Sequence, residues 1–329
     1  MSTDRTLAFS LAINEALHQM MESDPSVFLI GQGVKSPWYV GNTAQGLLER
    51  FGEDRVIDTP VSENAMTGAA VGAALAGMRP VAVHPRMDFM FYAFDPIINE
   101  AANWHYMNGG RLPVPVVFWG IINRGGEQAA QHSQALQATF AHVPGLKVVM
   151  PSTPYDAKGL MIAAIRDPNP VVFIDERWLY RLEGPVPREI YELEIGRAAV
   201  RRAGRDATLV AASYMAFEAV KAAETLSREG IDVELIDLRT IKPLDKETIV
   251  ASVRKTGRLV IADGGWRSFG VTAEVAAVAS EEAFDSLKAP IRRVTLPDCP
   301  APASSSLERV YYPSSADIVS AVRQAVQAT

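Results

Sequence analysis

The chain contains one cysteine, Cys299, among 329 residues. A lone thiol forms no intrachain disulfide and cannot supply the several thiolates of a structural metal cluster. Long apolar runs are missing as well: the most apolar stretch, residues 68–78, is far shorter than the roughly 17–25 residues a membrane helix needs. Positive charge is in deficit. With 32 Lys and Arg against 38 Asp and Glu, the formal net charge is -6, which offers no electrostatic footprint for nucleic acid. Disorder is excluded on the opposite ground, because 48% hydrophobic and 21% charged residues make an ordinary globular composition. Residues 1–7 carry Asp4 and Arg5 and lead into an amphipathic stretch, which does not read as a secretory signal. The expectation is a cytoplasmic, soluble protein with neither a membrane nor a nucleic-acid partner.

The length is large for one hydrophobic core and favours two domains. Helix-period and strand-period segments alternate along the first half. Residues 7–21 read as a helix with Leu7, Leu11, Ala16 and Met20 inward, followed by a buried strand over 27–30. Strands are expected at 56–58, 81–83, 114–118, 147–150 and 171–174. Helices are expected at 63–76 (Ser62 as N-cap, Gly77 as stop), at 95–107, in a short piece ending near Gly145, and from Ala157 to Ile165. Such alternation implies a parallel sheet covered on both faces. Gly184-Pro185-Val186-Pro187 then breaks regular structure. The alternation resumes with strands at 208–212, 233–237 and 259–262 and helices at 216–228, 245–255 and 271–284. A Pro- and Ser-rich coil follows from 297 to 315, and a last helix over 315–327. The predicted architecture is α/β: two doubly wound domains, 1–185 and 196–329, joined by a linker over 186–195.

The most informative segment is residues 55–78, RVIDTPVSENAMTGAAVGAALAGM. A strand ends at a proline turn and places Glu63 on the first turn of the next helix. Ligands of open α/β sheets bind beyond the carboxyl ends of strands, so Glu63 stands where a site belongs. Behind it, Gly68 and Gly72 are four apart on a helix of small residues, a pattern that lets another backbone approach. On spacing alone the plainer reading is the stronger one: a carboxylate at the positive end of a helix dipole, worth roughly 0.3–1 kcal/mol. Further on stand AAQHSQ at 129–134, GLKVVMPSTPYDAKGLM at 145–161, RDPNPVVFIDE at 166–176 and DLRTIKPLD at 237–245.

In this order the five segments resemble the beta subunit of thiamine diphosphate-dependent 2-oxo acid dehydrogenases. This family includes the pyruvate, branched-chain and acetoin enzymes and is related to the C-terminal two-thirds of transketolases. The resemblance spans nearly the whole chain and implies a transketolase-like pyrimidine-binding domain followed by a transketolase C-terminal domain. It implies that Glu63 is the acid that hydrogen-bonds the aminopyrimidine of thiamine diphosphate and so activates the thiazolium carbon. A carboxyl group in a low-dielectric pocket suits that task. By the same resemblance Phe89 stacks on the pyrimidine, and His132 lines the site to position substrate or transfer a proton. A potassium site, built largely of backbone carbonyls, would fall on Val116, Ala164, Ile165, Asp167 and Asn169. Backbone ligands leave little signature in a sequence. Read from the residues alone, the Arg124-Gly125-Gly126 stretch is either a mobile rim or a plain surface turn.

Family members hold the diphosphate and Mg2+ through a Gly-Asp-Gly motif. This chain has none; Asp263-Gly264-Gly265 is preceded by Ala262. The resemblance therefore implies an alpha-type partner subunit carrying that motif, an alpha2beta2 assembly with a second copy of this chain, and contact with a lipoyl acyltransferase. Several positions depart from the family pattern: Gly31-Gln32-Gly33 lacks an acid, His84-Pro85-Arg86-Met87-Asp88 replaces a mostly apolar segment, and Asp263 stands for a glutamate. These lie on the substrate side. Three functions remain open: acyl transfer from a 2-oxo acid to a lipoyl group, a two-component transketolase-like transfer of a two-carbon ketol unit, and a catalytically silent partner-binding subunit. His84 and Arg86 favour an anionic or phosphorylated substrate and so lean towards the second. Retention of Glu63, Phe89 and His132 together speaks against the third.

Overall fold

A computed structural model of the chain describes residues 5–36 and 39–328. It divides into two compact units. The first runs to Arg124 and resumes over Thr139–Ile195, and the second comprises Gly125–Ala138 and the chain from Gly196 onward.

The first unit is built on a parallel sheet. Strands Lys147–Val149, Val171–Glu176, Val117–Ile122, Arg79–His84, Val27–Gly31 and Val56–Asp58 pair in that order, each pairing parallel. Three of them, Val27–Gly31, Val117–Ile122 and Val171–Glu176, are buried at every position, as strands covered on both faces must be. Helices Phe9–Ser23 and Pro154–Arg166 pack on each other, while Glu63–Leu75 packs on the 3-10 turn Met87–Ala93 and the π-helical turn Asp95–Ala101. Gly31 permits the close approach of its neighbouring strand: a Cβ there would lie 2.6 Å from the Val83 carbonyl oxygen.

Several expected elements shift for physical reasons. Residues Thr6–Ala8 form a strand rather than a helix start, paired antiparallel with Glu183–Pro185. The Gly184-Pro185 break is thus itself an edge strand, where a residue without an N–H is tolerated. The first helix begins at Phe9 and its inward set is Phe9, Ile13, Ala16, Leu17 and Met20, while Leu11 faces out. The strand expected over 114–118 begins only at Val117, past Pro115, and runs on to Ile122. Asp175 and Glu176 extend the next strand beyond its apolar run because each has a buried partner.

The second unit is built on a sheet of five strands among the described residues, in the order Arg292–Leu296, Leu259–Trp266, Ala207–Ala211, Val233–Asp237 and Ala199–Arg202. Only Ala199–Arg202 is antiparallel to its neighbour. The two outer strands escape a sequence reading because arginines break their apolar pattern. Helix Ser213–Arg228 and the last helix, Ser315–Gln327, pack on this sheet through Met215, Ala219, Ala222, Leu226, Ile318 and Val322. Ser314 and Asp317 close a capping box at the start of the last helix. Within the expected coil of 297–315, Ser305–Tyr311 is helical. Among the described residues no helix is long and apolar enough to cross a membrane.

One fully buried cation ties the first unit together. The Lys158 side chain is 0% exposed; its Nζ donates to Glu15 Oε1 at 2.7 Å and to the carbonyls of Pro187 (2.7 Å), Arg188 (3.3 Å) and Glu189 (2.9 Å). Arg5 grips the same carboxylate at 2.7 and 2.8 Å. Burial alone would raise the Glu15 carboxyl, but the hydrogen bonds from Arg5 and Lys158 outweigh it and hold it below its usual range. A lysine so enclosed persists only because every donor is answered.

Two other buried groups set opposite pH dependences. His84 is 1% exposed, shares a 3.3 Å hydrogen bond between its Nε2 and Thr67 Oγ1, and is driven by burial from a pKa of 6.5 to about 3. Asp175 accepts from Trp119 Nε1 at 3.1 Å, yet burial raises its pKa from 3.8 to about 7.

Replacing Lys158 by Met should cost about 3–5 kcal/mol in a denaturant titration, because Glu15 and three carbonyls lose their shared donor. For pH the signs differ. His84 contributes stability above pH 6.5 that is lost as pH falls towards 3, so His84→Gln should flatten the acid limb of a melting-temperature profile. Asp175 contributes stability below pH 3.8 that is lost as pH rises through 7, so Asp175→Asn should flatten that limb instead. Profiles of both variants parallel to the parent would contradict these assignments.

Candidate functional site

Because every strand of the first sheet runs the same way, the loops that follow the strands emerge along one edge. Glu63 is the first residue of helix Glu63–Leu75, after the short strand Val56–Asp58. The Met66 N–H bonds the Ser62 carbonyl at 2.9 Å, while the Ser62 side chain makes no capping bond. Ser62 thus occupies the expected N-cap without acting as one. Glu63 is half-buried. Beside it the helix exposes Ala65, Gly68, Ala69 and Gly72, and a Cβ on Gly68 or Gly72 would meet nothing within 4 Å. Among the described residues, the close approach these glycines allow is not used within the chain.

Phe89 lies half-buried on the turn Met87–Ala93, which packs directly on the Glu63 helix. The turn itself is seated on Gly120. A Cβ at that position would stand 2.7 Å from Met90 Sδ and 3.2 Å from Met87 Cγ. Small size on one strand therefore sets the height of the segment that carries the aromatic ring. The elements bearing Glu63 and Phe89 are neighbours.

The substrate-side departures resolve differently from expectation. His84, read as favouring an anionic substrate, is enclosed and uncharged and offers such a ligand no charge. Arg86 is half-buried; burial first, and then the charge of Arg177, lower its pKa. Arg124, read as part of a mobile rim or surface turn, is instead buried in an ion pair with Glu176 at 2.9 Å, both side chains 2% exposed. A buried pair of this kind fixes geometry more than it adds stability. Arg177 and Glu176 carry charge along this edge, while burial raises Asp175 towards its protonated form; none of the three was singled out from the sequence. Their one signal is the run Asp175-Glu176-Arg177 at the end of an apolar strand.

His132 belongs to the second unit, on the segment Gly125–Ala138. It is half-buried, and its N–H donates to the Ala129 carbonyl at 3.4 Å. The segment is tightly wound: Gly125, Gly126, Glu127 and Ala129 all have φ near +60°, a conformation that costs non-glycine residues energy. Gln137 anchors its far end, donating from Nε2 to both oxygens of Asp263 at 2.9 and 3.0 Å. At the near end, Glu127 N–H donates to Glu308 Oε1 at 3.0 Å. Asp263 is 2% exposed and also accepts from the Gly265 N–H. The acid that departs from the family pattern is therefore a structural anchor for the histidine segment.

The five positions expected to hold potassium lie in the first unit around the end of helix Pro154–Arg166 and the turn after it. Arg79 Nη1 already donates to the carbonyls of Ile165 (2.8 Å) and Asp167 (3.3 Å), and the Val116 carbonyl accepts from Val171 N–H at 3.0 Å. The Asn169 amide oxygen is buried with no partner among the described residues.

Comparison with known proteins covers both units. The model of the transketolase pyrimidine binding domain matches residues 5–183, and that of the transketolase C-terminal domain matches residues 196–318. The chain is 45% identical to the acetoin:2,6-dichlorophenolindophenol oxidoreductase subunit beta of Cupriavidus necator, with 98% of each chain covered. It is also 45% identical to the pyruvate dehydrogenase E1 component subunit beta of Rickettsia conorii, covering 95% of this chain and 96% of that one. A solved structure described as a split gene transketolase, inactive beta4 tetramer, superposes with a TM-score of 0.78 at 25% identity, covering 98% of this chain and 99% of that one. A parallel-sheet unit with an acid at the start of one helix, followed by a second α/β unit, is matched from end to end, and the chain belongs to the beta-subunit family of thiamine diphosphate-dependent 2-oxo acid dehydrogenases.

Proposed function

We propose that this chain is the beta subunit of a 2-oxo acid dehydrogenase that decarboxylates a 2-oxo acid and passes the acyl unit to a lipoyl group. The observation that carries the reading is 45% identity, over almost the full length of both partners, to beta subunits named for acetoin and pyruvate oxidation. Bound thiamine diphosphate supplies the nucleophilic carbon and the electron sink for that chemistry. The residues present fit its pyrimidine end. A half-buried carboxyl, Glu63, and a half-buried ring, Phe89, stand on neighbouring elements with open, small-residue surface beside them.

In this reading Glu63 holds a proton at the aminopyrimidine, Phe89 orients the ring by stacking, and His132 holds or moves a proton at the substrate. The diphosphate and Mg2+ fall to an alpha-type subunit, since this chain lacks a Gly-Asp-Gly motif. We place the assembly in the cytoplasm as alpha2beta2, with a lipoyl acyltransferase as its acceptor. A potassium ion at Val116, Ala164, Ile165, Asp167 and Asn169 would satisfy the buried Asn169 oxygen and share carbonyls with Arg79. A carbonyl oxygen has two lone pairs, so the sharing is chemically possible. The split transketolase likeness supports a second reading, transfer of a ketol unit, which the same assay separates.

The decisive experiment is co-expression with the alpha-type chain, followed by turnover of pyruvate and branched 2-oxo acids against ketose phosphates. Decarboxylation of a 2-oxo acid is the expected result; turnover of ketose phosphates alone would sink the leading reading. In the same complex Glu63→Gln should lower turnover by about 100-fold or more, with gel-filtration assembly and cofactor binding retained. Retained turnover would remove Glu63 from its role. Potassium chloride should raise the melting temperature of the complex above that in sodium chloride of equal ionic strength, and equal values would dismiss the ion site.

A further inference from the structure

Three strands that lie side by side in the first unit are each followed by an arginine. Arg86 comes two residues after Arg79–His84, Arg124 two after Val117–Ile122, and Arg177 directly after Val171–Glu176. The registers His84 with Gly120 and Ile122 with Glu176 put all three at the same edge of the sheet. Arg124 is neutralised by Glu176. The other two are not. Among the described residues neither Arg86 nor Arg177 makes an ion pair. Arg86 donates Nη1 to the Pro85 carbonyl at 3.0 Å, and Arg177 donates Nη2 to the Tyr39 carbonyl at 2.6 Å. The Nε–H of each is buried with no acceptor among the described residues.

The two guanidiniums are close enough that the charge of Arg177 adds to burial in lowering the pKa of Arg86, against weaker help from Tyr39, Asp88 and Tyr180. Asp175 answers the charge of Arg177 only in part, because burial raises its carboxyl to a pKa of about 7 against the lowering effect of that charge. Like charges gathered with unanswered donors are unfavourable unless something else supplies the acceptor. A guanidinium presents its Nε–H and Nη–H as a fork that matches the oxygens of a carboxylate or phosphate. The place is also right, since open α/β sheets bind ligands beyond the carboxyl ends of their strands.

We infer that Arg86 and Arg177 form a paired oxyanion clamp that binds a carboxylate or phosphate group of the substrate. The identification of that ligand as substrate rests on the function proposed above; the clamp itself does not. Both arginines are half-buried as residues while each Nε–H is itself enclosed, so a ligand would meet them where water is partly excluded. Arg86 takes over the role that the sequence had shared with His84.

The test begins with the unmodified complex of this chain and its alpha-type partner. Phenylglyoxal labelling is followed by peptide mass spectrometry in the presence of inorganic phosphate or of succinate. One of the two anions should slow labelling of both Arg86 and Arg177 by about fivefold or more, while the exposed Arg205 labels at an unchanged rate. The protecting anion identifies the class, phosphate or carboxylate. Protection of neither arginine overturns the clamp, whatever the enzyme turns over. In kinetics, Arg86→Met and Arg177→Met should each raise KM for a substrate of the protecting class by about tenfold, with kcat little changed and partial recovery in Arg177→Lys. If both Met variants keep the parent KM, the clamp is refuted. Absence of 2-oxo acid turnover in the unmodified complex, with protection of both arginines observed, would refute the proposed function and leave the clamp standing.

Discussion

A parallel sheet sends every strand's carboxyl end to the same edge, and the first unit is organised around that constraint. Each strand must be followed by a crossover before the next can pair in the same direction. The crossovers bury both faces of the sheet, so polar side chains gather where the strands stop. Glu63, the Phe89 turn, Arg86, Arg124 and Arg177 all follow strand ends in this sheet. The interior positions are mostly Val, Ile, Leu, Phe and Trp119, with Ala82, Gly31 and Gly120 where a small residue is needed. Chemistry is confined to an edge because the backbone allows it nowhere else.

Burial then decides which of the edge residues carry charge. His84 lies one residue too deep and is neutral; Arg124 is equally deep but keeps its charge against Glu176. Asp175 has a hydrogen bond from Trp119 and the nearby charge of Arg177, yet burial outweighs both and pushes its carboxyl towards neutrality. Arg86 and Arg177 sit shallower and, among the described residues, form no ion pair with a carboxylate. A difference of one or two residues along a strand separates a core group from a binding group. The reason is that desolvation grows steeply with depth, while the Coulomb term depends on a partner being in place.

The second unit solves a different problem, which is holding the segment 125–138 in a strained course. Positive φ angles at Glu127 and Ala129 are unfavourable locally and persist because both ends of the segment are fixed. Gln137 is held on the buried carboxylate of Asp263, and Glu127 is held at the start of helix Ser305–Tyr311 by Glu308 and the Ser305 N–H. Those anchors come from places as remote in sequence as Asp263 in strand Leu259–Trp266 and a tail that looks like coil. His132 inherits its position from them.

Apolar period, glycine stops and proline turns were enough to read the alternation of strands and helices, the acid at the start of helix Glu63–Leu75 and the last helix Ser315–Gln327. These are local properties, set by which side chains a strand or helix can bury and by which residues can begin or end it. The ordered motifs also carried the family, because they preserve residue types at fixed places along the whole chain. Tertiary structure alone decided the rest. It made Leu11 an outward residue, turned Gly184-Pro185 into an edge strand, and drew Asp175 and Glu176 into a buried strand end. It also separated His84 from Arg86, two ionisable residues that look equivalent in the segment His84-Pro85-Arg86. Charge state and pairing depend on depth and on neighbours brought from distant positions, such as Arg124 with Glu176 or Gln137 with Asp263. Those quantities exist only once the chain is folded.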